Sequence, residues 1–122
     1  MYDKALAREI LQQVLQALQT ILQRFEPVKS PDDFTNSPSG VEKLDSICML
    51  LIAIGENLKN LGKITGSSLL PQYPQVDWKK VKGMRDLISH HYFDIDAEVI
   101  YHVCKNYIGP MAQTVAQIIH DL

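Results

Sequence analysis

Arg85, His90, His91 and Tyr92 fall together in the stretch RDLISHHYFDID, residues 85 to 96, where a helical pattern breaks and alternating aspartates begin. An arginine offers a planar fork matched to a phosphodiester, and an imidazole titrates near neutral pH. Together they can stabilise a charged phosphorane and move a proton, which is what cleavage of RNA through its own 2′-hydroxyl requires, without a metal. On an ideal helix Arg85 and His90 point about 140° apart and lie about 7.5 Å apart along the axis, so they face one cleft only if the helix ends near His90. The reaction uses one base and one acid, whereas each chain contributes one well-placed histidine. A two-fold dimer juxtaposing two copies of the stretch would supply both.

The same residues fit a structural reading: Arg85 paired with Asp86 or with a carboxylate such as Glu56, His90 capping a helix end, Tyr92 packing. Metal binding by HHYFDID is a further alternative, but adjacent histidines on a helix diverge by about 100° and the aspartates serve better as caps. His102 and His120 stand singly and read as surface or cap residues. No metal and no cofactor is expected.

The net charge of −2 gives no global attraction to nucleic acid, yet Lys79, Lys80, Lys82 and Arg85 fall within seven positions with no acid among them. Such a patch can bind phosphates; as a charge run alone it is more commonly a solvated helix face. With 122 residues, 46% of them apolar and 21% charged, the chain reads as a single helical domain over 1–122. The opening MYDKALARE carries four charges and no apolar block, which argues against a secretory signal and for the cytoplasm. The longest apolar run, ICMLLIAIG, is about half the roughly 20 residues of a membrane span. Cys48 and Cys104 lie in apolar stripes and read as buried hydrophobes, neither catalytic nor paired. A glycine-rich phosphate loop, metal-type Cys/His spacing and a serine elbow are all lacking.

Four elements must position the candidate residues. Leu6, Ile10, Val14, Leu18, Ile21 and Phe25 recur at helical spacing and predict a helix over Asp3 to Phe25. EPVKSPDDFTNSPSG reads as a loop with scope for mobility, followed by a second helix from Val41 to Gly62, the glycine standing at a C-terminal cap. Asp77 is placed to cap a third helix from Trp78. Asp94 or Asp96 would cap a fourth, with a kink or break expected where Gly109 and Pro110 interrupt it. The resulting architecture is an all-α, up-and-down four-helix bundle with a kinked last helix.

MRDLISHHYF resembles the R-x(4)-H-x-Y element of HepT, the HEPN-domain toxin of HepT/MntA toxin–antitoxin pairs. AIGENLKNLGK is similar to the family's IGE segment, and YPQVDWKKVKGMR to its proline, tryptophan and basic lead-in. The likeness runs from about Val41 to Tyr101 and is strongest from Tyr73 to Phe93. It implies a homodimer in which two copies of Arg85 and His90 line a composite cleft for metal-independent endoribonuclease action, often on tRNA. It also implies a minimal nucleotidyltransferase antitoxin that transfers AMP to Tyr92. Asp86 fits a position that is polar in the family, whereas His91 occupies a variable one and is not carried over as catalytic. Lys79, Lys80, Lys82, Asp86 and His91 remain as RNA-contacting or supporting residues. A silent HEPN subunit that binds nucleotide, and a plain helical interaction module, are the alternatives.

Overall fold

Helix α1 (Lys4–Phe25) starts where the Asp3 carboxylate accepts the Leu6 N–H at 3.0 Å, which satisfies one of the donors a helix start leaves open. The structure, a computed structural model, describes residues 2–122, and of Tyr92 the backbone alone. Ala7, Leu11, Val14, Leu18 and Ile21 form the buried line of α1. Leu6 was expected in that line but is 40% exposed. The buried stripe enters at Ala7, about 100° round the helix from its neighbour.

The segment after α1 is packed down and does not form an open loop. Pro31–Phe34 make a short 3₁₀ turn, and Phe34 and Val28 are buried. Phe25 lies between Phe34 and Tyr101, with ring centroids 6.2 and 5.2 Å away, and the Tyr101 hydroxyl donates to the Lys29 carbonyl at 2.9 Å. Helix α2 (Pro38–Ile64) then begins at Pro38, ahead of the expected Val41, because Ser37 caps it by accepting the Gly40 N–H at 3.1 Å. It also runs past Gly62, which is buried inside the helix. The cap glycine is Gly66, with φ of +61°, and the Ser67 N–H reaches back to the Gly62 carbonyl at 2.8 Å.

Helix α3 (Trp78–His90) is capped by Asp77, which accepts the Lys80 N–H at 3.1 Å. Tyr92–Asp94 form a 3₁₀ turn, and Asp96, of the two expected candidates, caps α4 (Ala97–Asn106). The expected kink is a full break at Tyr107, after which α5 runs Ile108–Asp121. Pro110 cannot donate to the carbonyl one turn earlier, so the ladder fails near Asn106 and the described residues make five helices instead of four.

Helix α2 is the middle of the bundle, packed on α1 on one side and on α3 on the other, while α1 also packs on α5. Contacts of Asn57 with Gln13 at 3.1 Å and of Arg24 with Ser46 at 3.2 Å fix α1 and α2 as antiparallel. Cys48 and Cys104 are buried and unpaired, as expected. Among the described residues no helix is long and apolar enough to cross a membrane.

Candidate functional site

The site helix α3 buries only Trp78 and Ile88, so its position depends on its seam with α2. Gly55 opens that seam, since a Cβ built there would stand 2.8 Å from the Cβ of Arg85. With no side chain at 55, the base of Arg85 lies against the α2 backbone. The next residue, Glu56, then brings Oε2 to 2.8 Å from Arg85 Nε. Both atoms are shielded from water and the N–H is not aimed at the oxygen, so the contact is an ion pair without a formed hydrogen bond. Arg85 Nη1 donates to Asp86 Oδ1 at 2.8 Å.

Two carboxylates therefore hold one guanidinium, as the structural alternative foresaw for each singly. The hydrogen bond to Asp86 and then the charge of Glu56 hold Arg85 above its ordinary pKa. The Arg85 hydrogen bond in turn pulls Asp86 below its ordinary value, with the Arg85 charge, His90 and Lys59 adding to the effect and partial desolvation opposing it. Asp86 thus lies within electrostatic reach of both candidate residues. A guanidinium carries five N–H donors, so these contacts orient Arg85 and leave others for a phosphate oxygen.

Helix α3 ends at His90, which is exposed, and the backbone of Tyr92 opens the following turn. The side chain of Tyr92, the expected AMP acceptor, lies outside the described residues. His91 is exposed and lines a separate pocket of about 250 Å³ with Leu87, Asp94 and Val99. Leu87, Phe93 and Val99 are 49%, 95% and 40% exposed, so the end of α3 carries apolar surface beside the histidines. His102 and His120 are exposed, away from this helix end on α4 and α5.

Of the basic run, Lys79 and Lys82 line a pocket of about 480 Å³ at the elbow between α2 and α3, whereas Lys80 does not. Gly55, Lys59 and Gly62 escaped the sequence reading as contributors. Glycines seven residues apart on one helix share a face, which is the signal that could have revealed the seam.

The sequence model of the family described as "Ribonuclease HepT-like" matches residues 14–118. The chain belongs to the HepT-like ribonuclease family. A protein of Methanocaldococcus jannaschii, by name a candidate RNase, is 33% identical over 104 residues, covering 80% of this chain and 83% of its own. Another candidate RNase by name, from Caldanaerobacter subterraneus subsp. tengcongensis, is 28% identical over 112 residues, covering 92% and 93%. No solved structure matches the chain. Membership and these relatives support an RNase activity and give the arginine and histidine of α3 a chemical context that their geometry alone does not.

Proposed function

We propose that this HepT-like protein is the toxin of a toxin–antitoxin pair, a cytoplasmic endoribonuclease that cuts RNA, with tRNA as the first substrate to test, without a metal ion. The observation that carries the reading is Arg85, clamped by Glu56 and Asp86 on the last turns of a helix that ends at His90. Two protomers meet through the apolar surface of Leu87, Phe93 and Val99, so that an arginine and a histidine from each line one cleft. One His90 removes the 2′-hydroxyl proton as that oxygen bonds to phosphorus, and Arg85 stabilises the phosphorane. The phosphorus–5′-oxygen bond breaks, and the partner's His90 protonates the leaving oxygen. A minimal nucleotidyltransferase silences the toxin: the Tyr92 oxygen attacks the α-phosphorus of ATP, loses its proton and releases pyrophosphate. The added phosphate charge then competes with RNA for Arg85.

Purified protein incubated with tRNA in EDTA should yield 2′,3′-cyclic phosphate and 5′-hydroxyl ends. Arg85→Ala and His90→Ala should each lower cleavage by about a hundredfold or more. Equal activity of His90→Ala, or nucleotide binding without cleavage, would remove the mechanism. A mixture of the two variants should regain nothing if both histidines are needed, as in this mechanism; partial recovery would mean that a site needs only an arginine from one protomer and a histidine from the other. Co-expression with the cognate nucleotidyltransferase should add AMP mass at Tyr92, and Tyr92→Phe should escape silencing.

A further inference from the structure

We infer that the elbow pocket between α2 and α3 binds one nucleotide of the RNA strand, its base against the apolar wall that includes Trp78 and its phosphate at Lys79 and Lys82. The ligand assignment rests on the ribonuclease reading above; the pocket stands on separate observations. Its volume of about 480 Å³ lies within the usual range for small-ligand sites. Leu70, Pro71, Pro74, Val76 and Trp78 supply the wall. That wall is held in place, because the Trp78 indole N–H donates to the Tyr73 carbonyl at 2.9 Å and the Tyr73 hydroxyl donates to Asp121 at 2.7 Å. A preformed apolar surface with an aromatic residue suits a base, since every base has a π-face.

The charge at the pocket suits a phosphate. Lys82 folds its ammonium across α2, to 3.6 Å from where a Gly62 Cβ would stand, and Lys79 lines the same pocket. The one acid on the lining, Asp77, is engaged as the α3 cap through the Lys80 N–H. Free nucleotides offer the same chemistry as one unit of RNA, and continuity decides for RNA. On an ideal helix Lys79, Lys82, Asp86 and His90 fall within about 80° of arc over about 16 Å of axis, with Arg85 about 60° beyond the arc on the Lys82 side. The pocket and the candidate cleavage site are two ends of one helix face, and a strand lying along it would meet the lysines before it reached Arg85.

The chain has a single tryptophan, so Trp78 emission reports occupancy directly. Titration of the dimer with a 2′-O-methyl RNA hexamer, which cannot supply the attacking hydroxyl, should change that emission saturably. Lys79→Ala and the pocket-filling Gly62→Leu should each weaken the dissociation constant about tenfold, with circular dichroism confirming that both fold. AMP should bind far more weakly than the hexamer. Binding seen by anisotropy without a change in Trp78 emission overturns the site, as does AMP binding as tightly as the hexamer, or no binding at all. Cleavage of an unmodified hexamer reads the ribonuclease separately: cleavage without an emission change sinks the pocket alone, and an emission change without cleavage sinks the ribonuclease alone.

Discussion

Helices α1 and α3 hold their places by different physics. Five residues of α1 are buried in one unbroken line, so its position follows from apolar area removed from water, which is non-directional and tolerant. Helix α3 buries Trp78 and Ile88 alone and relies on a backbone approach at Gly55, one shielded ion pair and a tryptophan hydrogen bond. Those contacts are directional, and each sits at or beside a candidate site residue. The core sets whether the chain folds; the α2–α3 seam sets where Arg85 points.

The largest expected effect tests the first half of that contrast. Leu58, fully buried on α2, should cost about 2–5 kcal/mol when changed to Ala, because the packed interior cannot collapse completely around the void. Leu87→Ala on the exposed face of α3 should change monomer stability by less than about 0.5 kcal/mol. Urea unfolding checks both, and comparable losses would mean that α3 is as much a core helix as α2.

Two glycines on α2 give a sharper test because the same substitution should act with opposite sign. Replacing a mid-helix glycine with alanine gains about 1 kcal/mol of helix propensity. At Gly62 the new methyl meets nothing nearer than the Lys82 ammonium at 3.6 Å, so the variant should be stabilised by up to that amount. At Gly55 it would stand 2.8 Å from the stem of Arg85, and overpacking of about 1–3 kcal/mol should cancel or exceed the gain. Ribonuclease activity should fall with Gly55→Ala, since α3 must move. A Gly55→Ala protein as stable and active as the parent would show that the seam is not a constraint.

What could be read in advance divides along the same line. Most of the buried apolar residues of α1, α2 and α5 follow from apolar periodicity, Leu6 and Ala7 being the exchange at the start of α1, and the capping role of Asp77 follows from local chemistry. The first turn of α2 was missed because Pro38, Ser39 and Gly40 carry no apolar signal, although Ser37 followed by proline is a helix start in capping terms. Glu56 and Asp86 were each foreseen as possible partners of Arg85, but their joint use was not. It depends on how closely two helices approach, which Gly55 decides and periodicity does not encode. Lys79 and Lys82 are separated from Lys80 by helix phase, a distinction that a run of like charges conceals.

Glu56→Gln removes a charge from the clamp and keeps its shape, so it isolates orientation from packing. The contacting atoms are shielded but the two side chains are 38% and 45% accessible, so the change should leave thermal stability close to that of the parent. A guanidinium freed to turn should cost about tenfold to a hundredfold in activity. The loss should appear in kcat more than in KM if Arg85 meets its phosphate best in the transition state. A change confined to thermal stability would demote Glu56 to a purely structural residue.

The smallest effect concerns the interior that α3 does not share. Burial pushes the Cys48 thiol up from 9.0 to about 11, with Asp45 adding to the shift, and the Cys104 thiol from 9.0 to about 12, with Cys48 contributing. A raised folded-state pKa means that above pH 9 the unfolded chain loses protons that the folded chain keeps. Stability is therefore intact below that value and should fall as pH rises, by at most about 1.4 kcal/mol per pH unit for each thiol. Tyrosines titrate from about pH 10, and Tyr73, raised to about 12 chiefly by its hydrogen bond to Asp121, adds a loss of the same sign. The interval from pH 9 to pH 10 consequently isolates the cysteines best. Urea midpoints measured across it should decline for the parent and flatten in the Cys48→Ala/Cys104→Ala variant, whatever stability that variant loses outright. A water-soluble thiol reagent at pH 8 should label both cysteines only as fast as the chain opens, because the attacking thiolate is scarce and enclosed. Rapid labelling of the native protein would place water beside the two thiols, and the contrast between a dry core and a polar seam would fail at its core.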